Sequence, residues 1–332
     1  MSAKRPFAVV FIHGLARKPA PEKLLELWQW GLSRGNPMPS VFAPPNEGID
    51  LATAGVPHAL NYYADVFYGT DYEVDLASYE EGNIDLELQA ESLDPAGEEL
   101  PLPTPKTPRE VAFLEGFQAK LWANLIVDSA VTTESLSQGA SDHELARFIP
   151  SPVREAIIKK AAMEAYYFLF NKQYVRPADG VRFDVRDELR SRLLRDLHHV
   201  QEKAEKIAII SHSMGTMVAY DVIRNCPECP PIDTLITLGS PLGIREVQQE
   251  LLATGNDKVD FPAATLERWI NIYDPLDPIC GADPKFANDY RSVGGKQVED
   301  IQESNWGKWR HTITHYLAGT QLRKQLAQAL GL

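Results

Sequence analysis

The residues best suited to chemistry lie in Ile209-Ile-Ser-His-Ser-Met-Gly-Thr216. A short apolar run ends there, and a helical pattern starts within two residues of Ser213. A serine at a sharp strand-to-helix turn has its oxygen exposed. The backbone N–H of the next residue then points at a carbonyl under attack. That is the geometry of nucleophilic acyl transfer, written G-x-S-x-G in its usual form. Ser211 stands at the first glycine position, a small polar residue in place of the smallest one.

A serine nucleophile needs a base, and the base needs an acid to orient it. Two later segments offer an acid and a histidine. Tyr273-Asp-Pro-Leu-Asp-Pro-Ile279 offers Asp274 and Asp277. Trp309-Arg-His-Thr-Ile-Thr-His-Tyr-Leu317 offers His311 and His315, which would share one helix face if both were helical. Strand length alone favours Asp274. The aspartate not used reads as a turn residue ahead of its proline. His311 lies nearer the loop from which a base can reach across the sheet ends.

The elements that must position these groups read as alternating strands and helices. Phe7 to Ile12 is a continuous apolar run, as expected of a parallel strand covered on both faces. A helix over Glu22 to Leu32 and a second strand over Asn61 to Tyr68 are expected next. After a long interruption the alternation resumes. Helices are expected over 187–202, 214–224 and 312–330, and strands over 206–210, 233–238 and 268–273. This order predicts an α/β fold with a doubly wound, mainly parallel sheet. Functional groups in such a sheet gather at the carboxyl ends of the strands. Residues 1–70 and 180–332 form the expected core, and 71–179 an inserted, largely helical cap.

These motifs together resemble the α/β-hydrolase fold of lipases, esterases and bacterial hydrolases of unassigned substrate. His13-Gly14-Leu15 after the first strand is similar to the family's oxyanion loop. SHSMG is similar to its elbow, and Thr237-Leu-Gly-Ser-Pro-Leu-Gly243 to its following strand. The resemblance covers about 6–70 and 185–332, leaving the cap aside. D-P-[VI] acid loops of such families favour Asp277, and the closing H-[ST]-I-x-x-Y-L pattern favours His311. The resemblance implies a triad of Ser213, Asp277 and His311, with the N–H groups of Leu15 and Met214 as oxyanion donors. It implies hydrolysis of a carboxylic ester through an acyl-enzyme. A thioesterase, an acyltransferase or a non-catalytic binding scaffold would share the same fold.

The cap is expected to hold helices at 111–126 and 154–174. Trp122, Tyr166, Tyr167, Phe168 and Phe170 either line an acyl site or form the cap's own core. From Asp71 to Leu100 the chain carries eleven Asp or Glu and no Lys or Arg. That stretch reads as a solvated, mobile surface segment and nearly accounts for the net charge of −13. So acidic a chain has no electrostatic reason to bind nucleic acid. The expected partner is a small or lipid-like ester.

Three cysteines, Cys226, Cys229 and Cys280, fit a reducing compartment rather than a disulfide framework. Cys226 and Cys229 have C-x-x-C spacing but no second pair to complete a zinc site. No H-E-x-x-H spacing and no phosphate-binding glycine loop occurs, so no metal and no cofactor are expected. His13 is expected to brace the oxyanion loop, His212 to stand beside the nucleophile, and His198 and His199 to face solvent. No secretory leader and no apolar run of membrane-spanning length is visible, which predicts a cytoplasmic protein.

Overall fold

The computed structural model describes residues 4–14, 16–70, 103–125, 151–252, 256–280, 283–306 and 310–332. The acidic stretch 71–100 and Leu15 lie outside the described residues. The fold is α/β. Among the described residues, six strands form one sheet in the order β2-β1-β5-β6-β7-β8, and every neighbouring pair is parallel. They are β1 (Arg5–Ile12), β2 (His58–Asn61), β5 (Ala204–His212), β6 (Ile232–Leu238), β7 (Leu266–Tyr273) and β8 (Val298–Gln302). β3 (Gln173–Val175) and β4 (Arg182–Asp184) make a separate antiparallel pair.

The continuous apolar runs of the strands divide by alternation between two cores. Val9, Phe11, Ala208, Ile210, Ile236, Leu238, Ile270 and Ile272 face one side. They pack on α1 (Pro21–Ser33), α8 (Ile313–Ala318) and α9 (Thr320–Leu330). Ala8, Val10, Ile12, Ile207, Ile209, Leu235 and Trp269 face the other. There they meet α2 (Ala64–Tyr68), α4 (Ser151–Leu169), α5 (Val185–Gln201) and α6 (Met214–Asn225). Period-two side-chain alternation in strands buried on both faces produces this division.

α3 (Pro108–Leu125) lies over the helix expected at 111–126, whereas the helix expected over 154–174 ends at Leu169, with Asn171 at φ 45° and Gln173 and Tyr174 in strand β3. Phe113, Phe117, Ile157, Ala161, Tyr166 and Phe168 join the same apolar cluster as the inner sheet face, and Trp122, Tyr167 and Phe170 pack against it. A short α7 (Arg245–Leu251) follows a single 3-10 turn, Pro241–Gly243.

Two other expectations need correction. The strand expected over Asn61 to Tyr68 is a strand only to Asn61, then the helix α2. The ladder with β1 ends at the Ile12–Asn61 pair, and the Tyr63 N–H turns aside to donate to His13 Nε2 at 3.0 Å. A short apolar run buried all round has no periodicity to distinguish helix from strand. The helix expected over 312–330 is broken at Gly319, whose backbone is extended. A Cβ there would come within 2.8 Å of Glu303 Oε2, and that carboxylate accepts from the Gln321 N–H at 2.7 Å to start α9. β8 and the β3–β4 pair were not expected from the pattern.

Candidate active site

The sheet's strand order reverses between β1 and β5. In an open α/β sheet the crevice at such a switch point is where ligands bind. Two segments meet there: the loop after β1 and the turn after β5.

Ser213 occupies that turn at φ 54° and ψ −130°, between the end of β5 and the first residue of α6. A non-glycine residue at positive φ is strained and persists only where its surroundings hold it. The Ser213 N–H donates to Leu238 O at 3.0 Å. Thr216 Oγ1 donates to Ser213 O at 2.6 Å. Ser211 is wholly buried, and its hydroxyl donates to Ile236 O at 3.2 Å, so the serine in place of glycine is absorbed as a cross-strand bond. Gly215 has no such freedom, since a Cβ would lie 2.4 Å from His13 O. Met214 opens α6 and is buried. The oxygen expected to be exposed at such a turn is instead buried, because the loop after β1 packs over it, and Ser213 Oγ makes no hydrogen bond among the described residues.

The loop after β1 closes over this turn. A Cβ on Gly14 would lie 2.7 Å from Ser213 Cβ, so only glycine permits the approach. His13 is held from three sides. Its Nδ1–H donates to Gly14 O at 2.6 Å, its Nε2 accepts from Tyr63, and its carbonyl accepts from the Tyr63 O–H at 2.6 Å. The two rings stack with centroids 4.0 Å apart. Burial pushes the His13 imidazole down to about 3, so it braces the loop as a neutral ring.

The candidate acid and base come from beyond β7. Asp277 and His311 are both buried, and His311 Nδ1–H donates to Asp277 Oδ2 at 2.8 Å. That bond fixes the tautomer and leaves Nε2 as the basic nitrogen. Asp277 also accepts from the Ile279 N–H at 2.8 Å and the Tyr316 O–H at 2.8 Å. Burial alone would raise this carboxyl. His311, Tyr316 and the Ile279 amide outweigh burial and hold it below the usual carboxylate range. Gly239, at φ 52°, lets the β6 end sit against the pair: a Cβ there would lie 2.6 Å from Asp277 Oδ2 and 3.0 Å from His311 Nδ1. Ser213 bonds to Leu238, Gly239 follows it, and the pair abuts Gly239. His212 closes the circuit by donating Nε2–H to His311 O at 2.9 Å, with its ring 4.4 Å from that of His311.

The other two candidates are placed elsewhere. Asp274 accepts from the Leu276 and Asn305 N–H groups, both at 2.8 Å, as a loop-closing carboxylate. Burial pushes it up. His315 stacks on Trp306 with ring centroids 3.7 Å apart, and burial holds it well below the ordinary histidine value. His198 and His199 are exposed on α5. Burial raises the thiols of Cys226, Cys229 and Cys280, that of Cys229 to about 12. Among the described residues, no cluster of three His, Cys, Asp or Glu is arranged to hold a metal ion. None of their helices is long and apolar enough to cross a membrane.

Two participants escaped the sequence. Tyr316 is a polar link, since its oxygen accepts from the Asp274 N–H at 3.1 Å and donates to Asp277. Its only signal was the H-x-x-x-x-Y spacing from His311. Tyr63 carried no signal, because its contact with His13 crosses 50 residues of chain.

No family model and no curated protein matches the chain. Among solved structures, it aligns over 100% of its length with one described as "LipS and LipT, two metagenome-derived lipolytic enzymes increase the diversity of known lipase and esterase families". The TM-score is 0.37 at 11% identity, with 96% of that chain covered. An uncharacterized protein from Pseudomonas aeruginosa aligns with 98% of this chain and 46% of its own, at TM-score 0.31 and 9% identity.

Proposed function

We propose that this protein is a serine hydrolase of the α/β-hydrolase kind, cleaving a carboxylic ester with Ser213 as nucleophile, His311 as base and Asp277 as acid. One observation carries the reading. A positive-φ serine at a strand–helix turn is bonded to Leu238, and the next residue, Gly239, abuts a buried Asp–His pair.

Ser213 Oγ attacks the ester carbonyl, and His311 Nε2 takes its proton. The carbonyl electrons move to oxygen, where the N–H groups of Leu15 and Met214 receive them. The tetrahedral species collapses, the C–O bond to the leaving alcohol breaks, and His311 returns the proton to that oxygen. Water then repeats the sequence on the acyl-serine and releases the acid. Asp277 keeps the imidazole in the required tautomer and stabilises its charged form. Within this reading, 71–179 is the insertion that selects the acyl group.

The test joins labelling to turnover. A fluorophosphonate probe is expected to modify Ser213, located by peptide mapping, and a p-nitrophenyl ester series from acetate to palmitate reports the acyl length accepted. Ser213→Ala is expected to remove turnover and labelling with no change in thermal unfolding. Turnover that survives in a folded Ser213→Ala protein sinks the assignment. Labelling without hydrolysis redirects it to acyl transfer to an alcohol, and no labelling at all to a binding scaffold.

A further inference from the structure

Helix α4 reaches the loop after β1 with a carboxylate. Glu164 is 1% exposed, and one of its oxygens, Oε1, accepts from the Ala16 N–H at 2.7 Å and from the Tyr68 O–H at 2.6 Å. Ala16 lies two residues beyond Gly14, the residue that touches Ser213, and has φ 71°. Alanine gains nothing from that conformation, so the loop must be held in it from outside. The partner found on its amide comes from a helix 148 residues away in sequence.

We propose that Glu164 is a positioning residue for the loop that supplies the oxyanion donor, and that ionising its carboxyl tightens the loop. The proposal rests on the reading of Ser213 as the nucleophile. A carboxylate makes hydrogen bonds roughly twice as strong as those of a neutral acceptor. The hold on the Ala16 N–H therefore depends on the charge of Glu164.

The groups facing this carboxyl come from each surrounding element. Lys18 stands on the same loop, Lys160 one turn back on α4, Tyr68 on α2, and Tyr63 just before it. Burial pushes Glu164 up to about 7, against the Tyr68 and Ala16 bonds and the two lysines, which all favour the charged form. The two readable effects have opposite signs. Above about 7 the carboxylate grips Ala16 and turnover is favoured. The native state, however, binds this proton more tightly than the unfolded chain does. Its contribution to stability is therefore lost as pH rises from the ordinary carboxylate range through that midpoint. A carboxyl that was merely packed there would give the stability slope but not the turnover slope.

The experiment follows the Ala16 amide by NMR in alanine-labelled protein across neutral pH, alongside steady-state kinetics of Glu164→Gln. The expected result is an Ala16 shift that titrates near pH 7. In the variant, kcat should fall roughly 10- to 100-fold with KM nearly unchanged, since only transition-state stabilisation is lost. The ratio of wild-type to variant kcat should rise through the same midpoint. A flat Ala16 titration, or a constant ratio, overturns the proposal. If the Gln variant does not fold, the wild-type titration and Tyr68→Phe, which removes one donor and should move the midpoint upward, decide the matter. Ser213→Ala separates the two readings. Surviving turnover there defeats the nucleophile, whatever Ala16 does. Abolished turnover with a flat Ala16 defeats Glu164 alone.

Discussion

Asp277 with His311 and Asp274 with His315 are two pairs of identical residue types, the aspartates three residues apart in the chain and the histidines four. The protein treats them differently. The first pair is joined by a 2.8 Å hydrogen bond against Gly239. The second is never joined. Asp274 spends its oxygens on the Leu276 and Asn305 amides, and His315 lies flat on Trp306. Burial acts on both acids. Only Asp277 has enough donors to fall below the usual carboxylate range, while Asp274 is raised. Residue type thus nominates a catalytic pair. The partners each side chain meets decide which pair is capable of chemistry.

The sharpest way to break this comparison is to neutralise each acid in turn. Asp277→Asn is expected to lower kcat on the order of 10⁴-fold, because His311 loses the partner that sets its tautomer. Asp274→Asn should leave kcat within about threefold but lower the unfolding temperature, since one amide loses a buried acceptor. Equal losses in the two variants, read by ester kinetics and calorimetry, would falsify the division of labour.

A smaller effect is expected from Gly239→Ala. Its Cβ would enter the space of Asp277 Oδ2 and His311 Nδ1, and displacing a reacting group by about 1 Å can cost around a hundredfold in rate. Gly294→Ala is the control. It carries the same positive-φ strain, at 61°, with nothing within 4 Å of the new methyl. It should lose stability only. A Gly239→Ala protein as active as the control would mean that the close packing there is incidental.

The smallest change is expected from Tyr316→Phe, which keeps the ring and removes one donor from Asp277. Asp277 should rise towards the ordinary carboxylate value. A carboxyl held low adds stability above its unfolded pKa and loses it as pH falls through the folded one. The variant should therefore be less stable than wild type at neutral pH, by about 1.5–3 kcal/mol for a bond to a charged group. The gap should narrow in acid to the part left by the Asp274 N–H, which loses its acceptor at every pH. Urea unfolding at both pH values reads this, and a gap independent of pH would assign Tyr316 to packing alone.

Much of the sheet was legible in the chain, because strands buried on both faces must be apolar throughout. The runs 7–12 and 206–210 announce themselves that way. α2 was misread for the same reason: a short segment buried on every side carries no period. The serine at 213 was legible because its turn demands a strand, small neighbours and a helix in immediate succession. The choice among Asp274, Asp277, His311 and His315 was open on spacing alone and depended on resemblance. Tyr316, Tyr63 and Glu164 were hidden, since their contacts join distant segments that spacing cannot relate.

By itself, the amino-acid order determined that strands and helices alternate, that a serine stands on the strand-to-helix turn, and that two Asp–His choices follow it. Those are local properties, set by periodicity, propensity and the steric demands of a turn. Tertiary structure decided which acid meets which base, which glycines had to stay bare, and which carboxylate holds the loop after β1. These are decided by distance across the sheet ends, where a difference of one ångström separates a hydrogen bond from no contact at all.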